Sequence, residues 1–272
     1  LANQQIFLAH YYISNIYIDD TLQLDAAGTG IVSGDTLLPE GLYKIYLDEH
    51  HHFDFLLGSD QEFTISNTTF KAENAKITGA PETEEFIKYI GFLSDLKLQG
   101  AEIQRQLKTA DETEKPELQQ KLSGLTPKLH NYWKMVSAKY PNTFLAQFLM
   151  SDYVPSLDES TLSEGVRQNE SLLLSARFYY QRLHFWDNFD YRDERFLYTP
   201  LLKPKMETWF SKVLFQSYDS VKPYVYKFIE EVKPSKRIFQ FATSFFLNSS
   251  INSNIMGMDA LFVDLAKSYY LN

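Results

Sequence analysis

The residues best suited to chemistry lie in one short segment, His184–Arg195, which is rich in carboxylates, arginines and aromatic rings. Asp187, Asp190 and Asp193 recur every three residues, a spacing that brings side chains near one face of a helix. Three carboxylates together could hold calcium, although the spacing is not that of an EF-hand loop and the turn glycine of that loop is absent. Two carboxylates across a cleft would also suit glycoside hydrolysis, with Trp186 stacked on a sugar.

A structural role for the same segment is the favoured interpretation, since isolated charge clusters are usually structural. In this interpretation the aspartates cap helix ends and pair with three arginines, Arg182, Arg192 and Arg195. The next hypothesis is a binding surface, formed by His184, Trp186, Asp187, Asp190 and Tyr191. We expect no catalytic residue in the segment.

Three consecutive histidines, His50, His51 and His52, lie close in sequence to Asp48 and Asp54. Imidazoles and carboxylates are suitable ligands for zinc or nickel, so adventitious metal binding is one interpretation. Consecutive residues on a strand or tight turn point in different directions, and three of them cannot all reach one ion. A polar hairpin tip is therefore favoured, and we expect no dedicated metal site and no other cofactor.

The sequence contains no cysteine, which excludes a disulfide framework, a thiolate zinc site, a CxxC redox pair and a cysteine nucleophile. The segment Gly28-Thr29-Gly30 lacks the remaining glycines of a dinucleotide-binding loop and does not lead into a helix. The GxSxG, HExxH and phosphate-binding GKS/GKT patterns are absent as well. No catalytic motif is therefore recognisable in the chain.

Charge and composition narrow the range of partners. The 272 residues carry a formal net charge of −9, and without a basic stripe such a chain repels a phosphate backbone, so nucleic-acid binding is not expected. No stretch approaches the roughly 18 consecutive apolar residues of a membrane span. Aromatic residues make up 15% of the chain, which favours a core rich in Phe and Tyr; a surface that stacks carbohydrate or peptide is the alternative.

A change of hydrophobic period divides the chain near residue 78. Before it, short stretches such as 6–12 and 42–47 alternate with period two and are separated by turns. This pattern predicts an antiparallel β-sandwich or small barrel over residues 1–78. From Pro81 the period is helical, which predicts an α-helical domain over residues 79–272. The expected fold class is therefore α+β.

The first part of the helical domain is predicted to be a long antiparallel helix hairpin. Apolar residues follow one narrow stripe over 86–107 and again over 118–136, and the polar break Thr109–Lys115 would be the exposed tip. Pro127 is expected to kink the second helix. Further helices are expected at 142–151, 170–185, 205–216, 219–232, 235–248 and 256–270.

Four segments resemble parts of a family of exported proteins from Bacteroides-type bacteria. Leu38–Ile45 and Phe53–Leu57 are similar to its N-terminal β-domain. His184–Asp190 and Ser253–Val263 are similar to the helical region that follows, so that the resemblance covers nearly the whole chain. In that family both regions precede a C-terminal thioredoxin-like domain of the thiol–disulfide interchange type. A sequence that starts without Met and stops at Asn272 fits a piece of such a protein.

The resemblance implies a context for the chain rather than an activity of its own. The redox chemistry would belong to the cysteine pair of the thioredoxin-like domain, so no catalytic residue carries over to this chain. The resemblance also implies export to the periplasm or cell envelope and is compatible with a lipid anchor. We therefore expect a non-catalytic accessory module that positions the thioredoxin-like domain or recruits its substrate protein. The alternative is an autonomous envelope protein that binds glycans or peptides.

Overall fold

The first part of the chain folds into two separate antiparallel sheets, as shown by a computed structural model that describes residues 1–271. The larger sheet has four strands in the order β2-β1-β3-β4, namely β1 (Gln5–Tyr12), β2 (Asn15–Gln23), β3 (Gly41–Asp48) and β4 (His51–Leu57). The smaller sheet pairs β5 (Thr64–Ser66) with β6 (Lys76–Thr78). Asn272, the expected abrupt end of the chain, lies outside the described residues.

Alternation with period two positions the core face of the larger sheet. Leu8, Ile45 and Phe53 are cross-strand partners and therefore lie in one row on the same face, where Leu8 and Phe53 are buried. Among the described residues the edge strands β2 and β4 do not pair with each other. The sheet is therefore open, and the small barrel that the sequence suggested is not formed.

Four helices follow the strands, and they are α1 (Pro81–Leu107), α2 (Lys115–Ser123), α3 (Leu125–Lys139) and α4 (Phe144–Met150). Pro81 is the first residue of α1, where its missing N–H leaves no hydrogen bond unmade. Both α2 and α3 contact α1, and the break before α2 falls in the predicted segment Thr109–Lys115. The second stripe is interrupted at Gly124 rather than kinked at Pro127, because Pro127 lies in the first turn of α3, where proline is tolerated.

The compact units of the chain do not coincide with the expected domains 1–78 and 79–272. Secondary structure does change there, since β6 ends at Thr78, but the division into compact units falls between Tyr153 and Val154. Buried hydrogen bonds tie α1 to the strands and to α4. The Thr83 hydroxyl donates to the Leu56 carbonyl over 2.8 Å, and the N–H of Leu145 donates to Glu82 over 3.1 Å.

The second unit is helical and contains α5 (Glu164–Arg167), α6 (Glu170–His184), α7 (Leu202–Thr208), α8 (Tyr218–Val232), α9 (Lys236–Ile251) and α10 (Met258–Tyr269). Ser217 and Ser235 cap the N-termini of α8 and α9, because each side chain accepts a hydrogen bond from a backbone N–H of the first turn. A π-helical turn, Trp209–Val213, continues α7 and directs Trp209 into the core. None of the described helices combines the length and apolarity that crossing a bilayer requires.

Candidate functional site

The segment His184–Arg195 begins at the last residue of α6 and continues as an irregular connection rather than as a helix. It ends where Asp193 caps a 3-10 turn, Glu194–Tyr198, by accepting the N–H of Arg195 over 3.0 Å. Because the connection is irregular, the three-residue spacing of its aspartates does not gather them on one helix face. The basis for a shared calcium site is therefore missing.

Each of the three aspartates is paired with a neighbouring cation or imidazole. Asp187 lies 2.6 Å from Nδ1 of His184. Asp190 lies 2.7 Å from Nε of Arg192, and Asp193 lies 2.7 Å from an Nη of Arg195. The predicted pairing with Arg192 and Arg195 is confirmed. Within residues 1–271 no group of three or more His, Asp or Glu side chains is placed to hold a metal ion.

The third predicted arginine, Arg182, packs against aromatic rings instead of a carboxylate. Its guanidinium carbon lies 5.1 Å from the ring centres of Tyr179 and Phe215 and 5.8 Å from that of Tyr224. Its Nε is buried and has no hydrogen-bond acceptor in the described part of the chain. Contacts between a cation and aromatic faces are attractive, so Arg182 stabilises this packing as a stacked cation.

Three groups of the segment have shifted pKa values, and that of Arg192 is raised by its hydrogen bond to Asp190. Burial acts to raise the pKa of Asp190, but the hydrogen bonds and charge of Arg192 outweigh it and hold this pKa below its ordinary value. Burial, and then the hydrogen bond to the Glu231 carboxylate, raise the pKa of Tyr191 well above its ordinary value. Asp190 therefore stays ionised and Tyr191 stays protonated near neutral pH, which suits structural hydrogen bonding.

Trp186 is surrounded by other rings. Five aromatic side chains have ring centres 5.0 to 5.7 Å from that of Trp186, and they are Phe185, Phe189, Tyr191, Trp209 and Phe228. Its Nε1 is buried and has no acceptor among the described residues. These tilted and edge-to-face contacts are the geometry that aromatic core packing prefers. The indole ring is thus engaged by other aromatic side chains of the protein.

Tyr191 is fixed at both ends. Its ring stacks on Phe228 of α8 with the ring centres 4.2 Å apart, and its hydroxyl donates a short hydrogen bond to Glu231 one turn further along the same helix. The structure therefore brings Trp186 and Tyr191 together in one aromatic cluster. His184, Asp187 and Asp190 lie on its more exposed side and point to their own partners.

Lys205 is a member of this cluster that the sequence analysis missed. It lies on α7 and is only 8% exposed, with its Nζ 4.8 Å from the ring centre of Phe185 and 5.3 Å from that of Phe189. A signal for it exists in the sequence, because Leu202, Lys205 and Trp209 share the apolar face of a helix and a lysine there is unusual. The sequence does not show its ring partners, because Phe185 and Phe189 lie in the connection after α6 and not on α7.

The three histidines are separated as their position on a strand dictates. His51 lies 2.8 Å from Asp48 and packs at a steep angle against the ring of Phe70, whereas His52 accepts a hydrogen bond from Lys44 over 3.2 Å. Neighbouring strand residues point to opposite faces, so His51 and His52 diverge. His50, at the turn before β4, is exposed.

Helix α6, which leads into the segment, is the surface feature that the sequence analysis did not single out. It contains no buried residue, although large apolar side chains lie all round it. Leu172, Tyr179 and Leu183 are 49%, 54% and 54% exposed. Their spacing of seven and four residues puts them on one face, which we call the α6 stripe. The sequence signal for this exposed surface is the run Leu172-Leu173-Leu174. Three consecutive residues of a helix point in different directions, so they cannot all lie on one buried face.

The geometry of the site is that of a packed segment whose aspartates are paired with their neighbours. The three aspartates each have a partner, the aromatic rings contact one another, and α6 carries exposed apolar side chains. Comparisons with protein-family models, curated proteins and solved structures produced no match.

Proposed function

We propose that this chain is a non-catalytic protein-interaction module that positions a thioredoxin-like domain of the same protein or recruits its substrate protein. The observation that carries the proposal is the α6 stripe, three large apolar side chains about half exposed on one helix face. The identity of the partner rests on the resemblance of the four sequence segments. In keeping with that resemblance, the proposed location is the periplasm or cell envelope.

The α6 stripe supports a protein partner because of its size and arrangement. Single exposed apolar residues are common, whereas contiguous apolar surface on a soluble protein usually marks an interaction site. Phe178 lies on another face of α6, is half-buried, and has its ring centre 5.1 Å from that of Phe215. Contacts of this kind hold α6 in the unit, while the half-exposed side chains of the α6 stripe can still contact a partner.

Two facts support a non-catalytic role. The chain has no cysteine, so thiol–disulfide exchange must use cysteines from elsewhere. The aspartates that could have served hydrolysis, Asp187 and Asp190, are held by His184 and Arg192. A carboxylate fixed in this way is a poor general base for a substrate, because its charge is already compensated.

The alternative proposal is an autonomous protein that binds glycans or peptides, and the structure offers more support for peptides than for glycans. For glycans it would need a free aromatic face, and the rings of Trp186 and Tyr191 are packed against Phe228 and their other neighbours. For peptides the α6 stripe would serve equally well. The finer architectural expectation, a β-sandwich with a long antiparallel helix hairpin, also stays a proposal, supported in its second part by the contacts of α2 and α3 with α1.

The first test is to read the coding sequence beyond Asn272. A continuation into a thioredoxin-like segment with a CxxC pair is the expected result, and a stop within a few codons contradicts the proposed partner. The second test uses that longer protein with Leu172→Ser and Leu183→Ser together. Leu174→Ser is the matched control, because Leu174 is more exposed but lies on another face of α6.

The rate at which the longer protein reduces a disulfide-bonded partner protein distinguishes the outcomes. We expect the double variant to fall to the rate of the isolated thioredoxin-like domain, whereas Leu174→Ser leaves the rate unchanged. Equal rates for the parent, the double variant and the isolated domain would refute both positioning and recruitment by this surface.

A further inference from the structure

Strand β2 forms one edge of the four-stranded sheet. In the part of the chain that the structure describes, it pairs with β1 and with no other strand. An edge strand presents a row of backbone N–H and C=O groups that another extended segment can pair with. Proteins usually protect such edges with bulges or charges. The bulges and charges of β2 therefore determine which extended segments can pair with it.

The protection of β2 is confined to its second half. The register with β1 shifts between Leu8 and Ala9, which leaves Asp19 as an extra residue, a β-bulge. Next to it, the Asp20 carboxylate accepts the N–H of Thr21 over 2.7 Å. Backbone groups used in this way are closed to a new strand.

The first half of β2, Asn15–Ile18, keeps a regular register and carries exposed apolar side chains. Ile16 pairs with Tyr11 and Ile18 with Ala9, so both isoleucines lie on one face of the sheet. They are 50% and 63% exposed. This short stretch therefore combines an open backbone edge with two apolar contacts.

Acidic residues dominate the charge around this edge. The first 43 residues contain no lysine or arginine, but they contain five acidic residues, Asp19, Asp20, Asp25, Asp35 and Glu40. The first cation in the sequence, Lys44, is buried and lies 2.5 Å from Asp54. The β1–β2 hairpin therefore contains no Lys or Arg that could neutralise the acidic bulge, although the Asp19 carboxylate lies 2.7 Å from Nδ1 of His10.

We infer that the outer edge of β2 binds an extended, basic segment of a partner protein, which adds to the sheet as a fifth strand. Its backbone pairs with the Asn15–Ile18 stretch, and its apolar side chains cover Ile16 and Ile18. Its Lys or Arg residues meet Asp20, because the Asp19 carboxylate is paired with His10. Main-chain hydrogen bonds then supply affinity and alternate side chains supply specificity. This inference does not rest on the proposed function, because β2 and α6 belong to different units.

A second copy of this chain fits the edge less well. Antiparallel pairing of β2 with another β2 about a twofold axis would put the aspartates near the centre of the strand against their own copies. Like charges directly opposite each other in a sheet are destabilising. A basic strand meets Asp20 with opposite charge, so it is the occupant that the charges favour.

The test uses a labelled synthetic peptide of alternating valine and lysine, titrated with the chain and followed by fluorescence anisotropy. One control peptide has glutamate in place of lysine, and a second keeps lysine but carries N-methyl groups on alternate amides, which prevents strand pairing. We expect only the unmodified lysine peptide to bind, and more weakly at high salt. Absence of binding, or equal binding of either control peptide, would overturn the inference.

Protein variants locate the site. Ile18→Lys adds a like charge at the edge and should weaken binding by about tenfold or more. Leu37→Lys is the matched control, since Leu37 is 76% exposed in the same acidic stretch but is not part of β2, and it should bind as the parent does. Circular dichroism verifies that both variants fold. Equal weakening by both variants, or a parent dimer that Ile18→Lys converts to monomer, would contradict a basic partner strand at this edge.

Discussion

Replacing Trp186 with alanine distinguishes a structural segment from a binding surface. Five ring contacts are lost in this change, one to each of the residues that surround the indole. Aromatic pairs contribute about 0.5–1.5 kcal/mol each beyond the area they bury. Core Trp-to-Ala changes cost about 3–5 kcal/mol. Trp186 is half-buried, so we expect Trp186→Ala to lower the free energy of unfolding of the second unit by about 3 kcal/mol.

A matched variant, Trp186→Phe, tests the same argument from the other direction. It keeps much of the ring contact and removes the buried Nε1–H, which has no acceptor among the described residues. Leaving such a donor unsatisfied costs about 1–3 kcal/mol, so its removal offsets part of the lost packing. We therefore expect Trp186→Phe to remain within about 1 kcal/mol of the parent protein.

Urea unfolding followed by circular dichroism measures both variants, and hydrogen exchange of peptides from residues 185–232 assigns the change to the second unit. A binding-surface role predicts unchanged stability for Trp186→Ala together with loss of ligand binding. Unchanged stability would therefore refute the structural interpretation of the whole segment.

Two further predictions concern the first unit. Burial acts to raise the pKa of Glu85, but the hydrogen bonds from Lys139 and Tyr140 and the charges of Lys139 and Lys88 together outweigh it and lower this pKa from 4.5. The stability that these contacts contribute is therefore present above pH 4.5 and is lost as the pH falls through the lowered value. Glu85→Gln should cost about 1 kcal/mol at neutral pH, because Lys139 is exposed, and should flatten the acid limb of a stability–pH curve; an unchanged curve would contradict this. Gly79 has φ +101°, and an added Cβ would lie 2.7 Å from the Glu62 carbonyl oxygen, so Gly79→Ala should lower the unfolding free energy by more than about 1 kcal/mol. Gly165→Ala, with open space around it, is the control and should be neutral or slightly stabilising in thermal denaturation.

Local sequence signals predicted the helices of the second unit well. The expected helices at 219–232 and 235–248 correspond to α8 (Tyr218–Val232) and α9 (Lys236–Ile251), because Ser217 and Ser235 are strong caps and an apolar face follows each. The order of strands followed by helices was also predictable, because the hydrophobic period of the sequence changes once, from two residues to that of a helix.

Long-range packing was not predictable from the same signals. The boundary at residue 78 marks a change of period, whereas the compact unit continues to Tyr153 because Thr83 and Glu82 bond to partners 27 and 63 residues away. In the same way Trp186 could be recognised as part of a dense segment, but its partners Trp209 and Phe228 come from later elements. Whether an aromatic residue faces solvent or other rings is decided by such contacts.

The most direct test of the central claim is to measure hydrogen exchange and surface labelling of α6 in the protein that carries the thioredoxin-like domain and in the chain that ends at Asn272. If α6 contacts that domain or holds it in place, amides of α6 and the Tyr179 side chain should be more protected in the longer protein. Protection should return to the level of the shorter chain when Leu172 and Leu183 are replaced by serine. Identical exchange and labelling in both proteins would contradict the claim that α6 positions the domain.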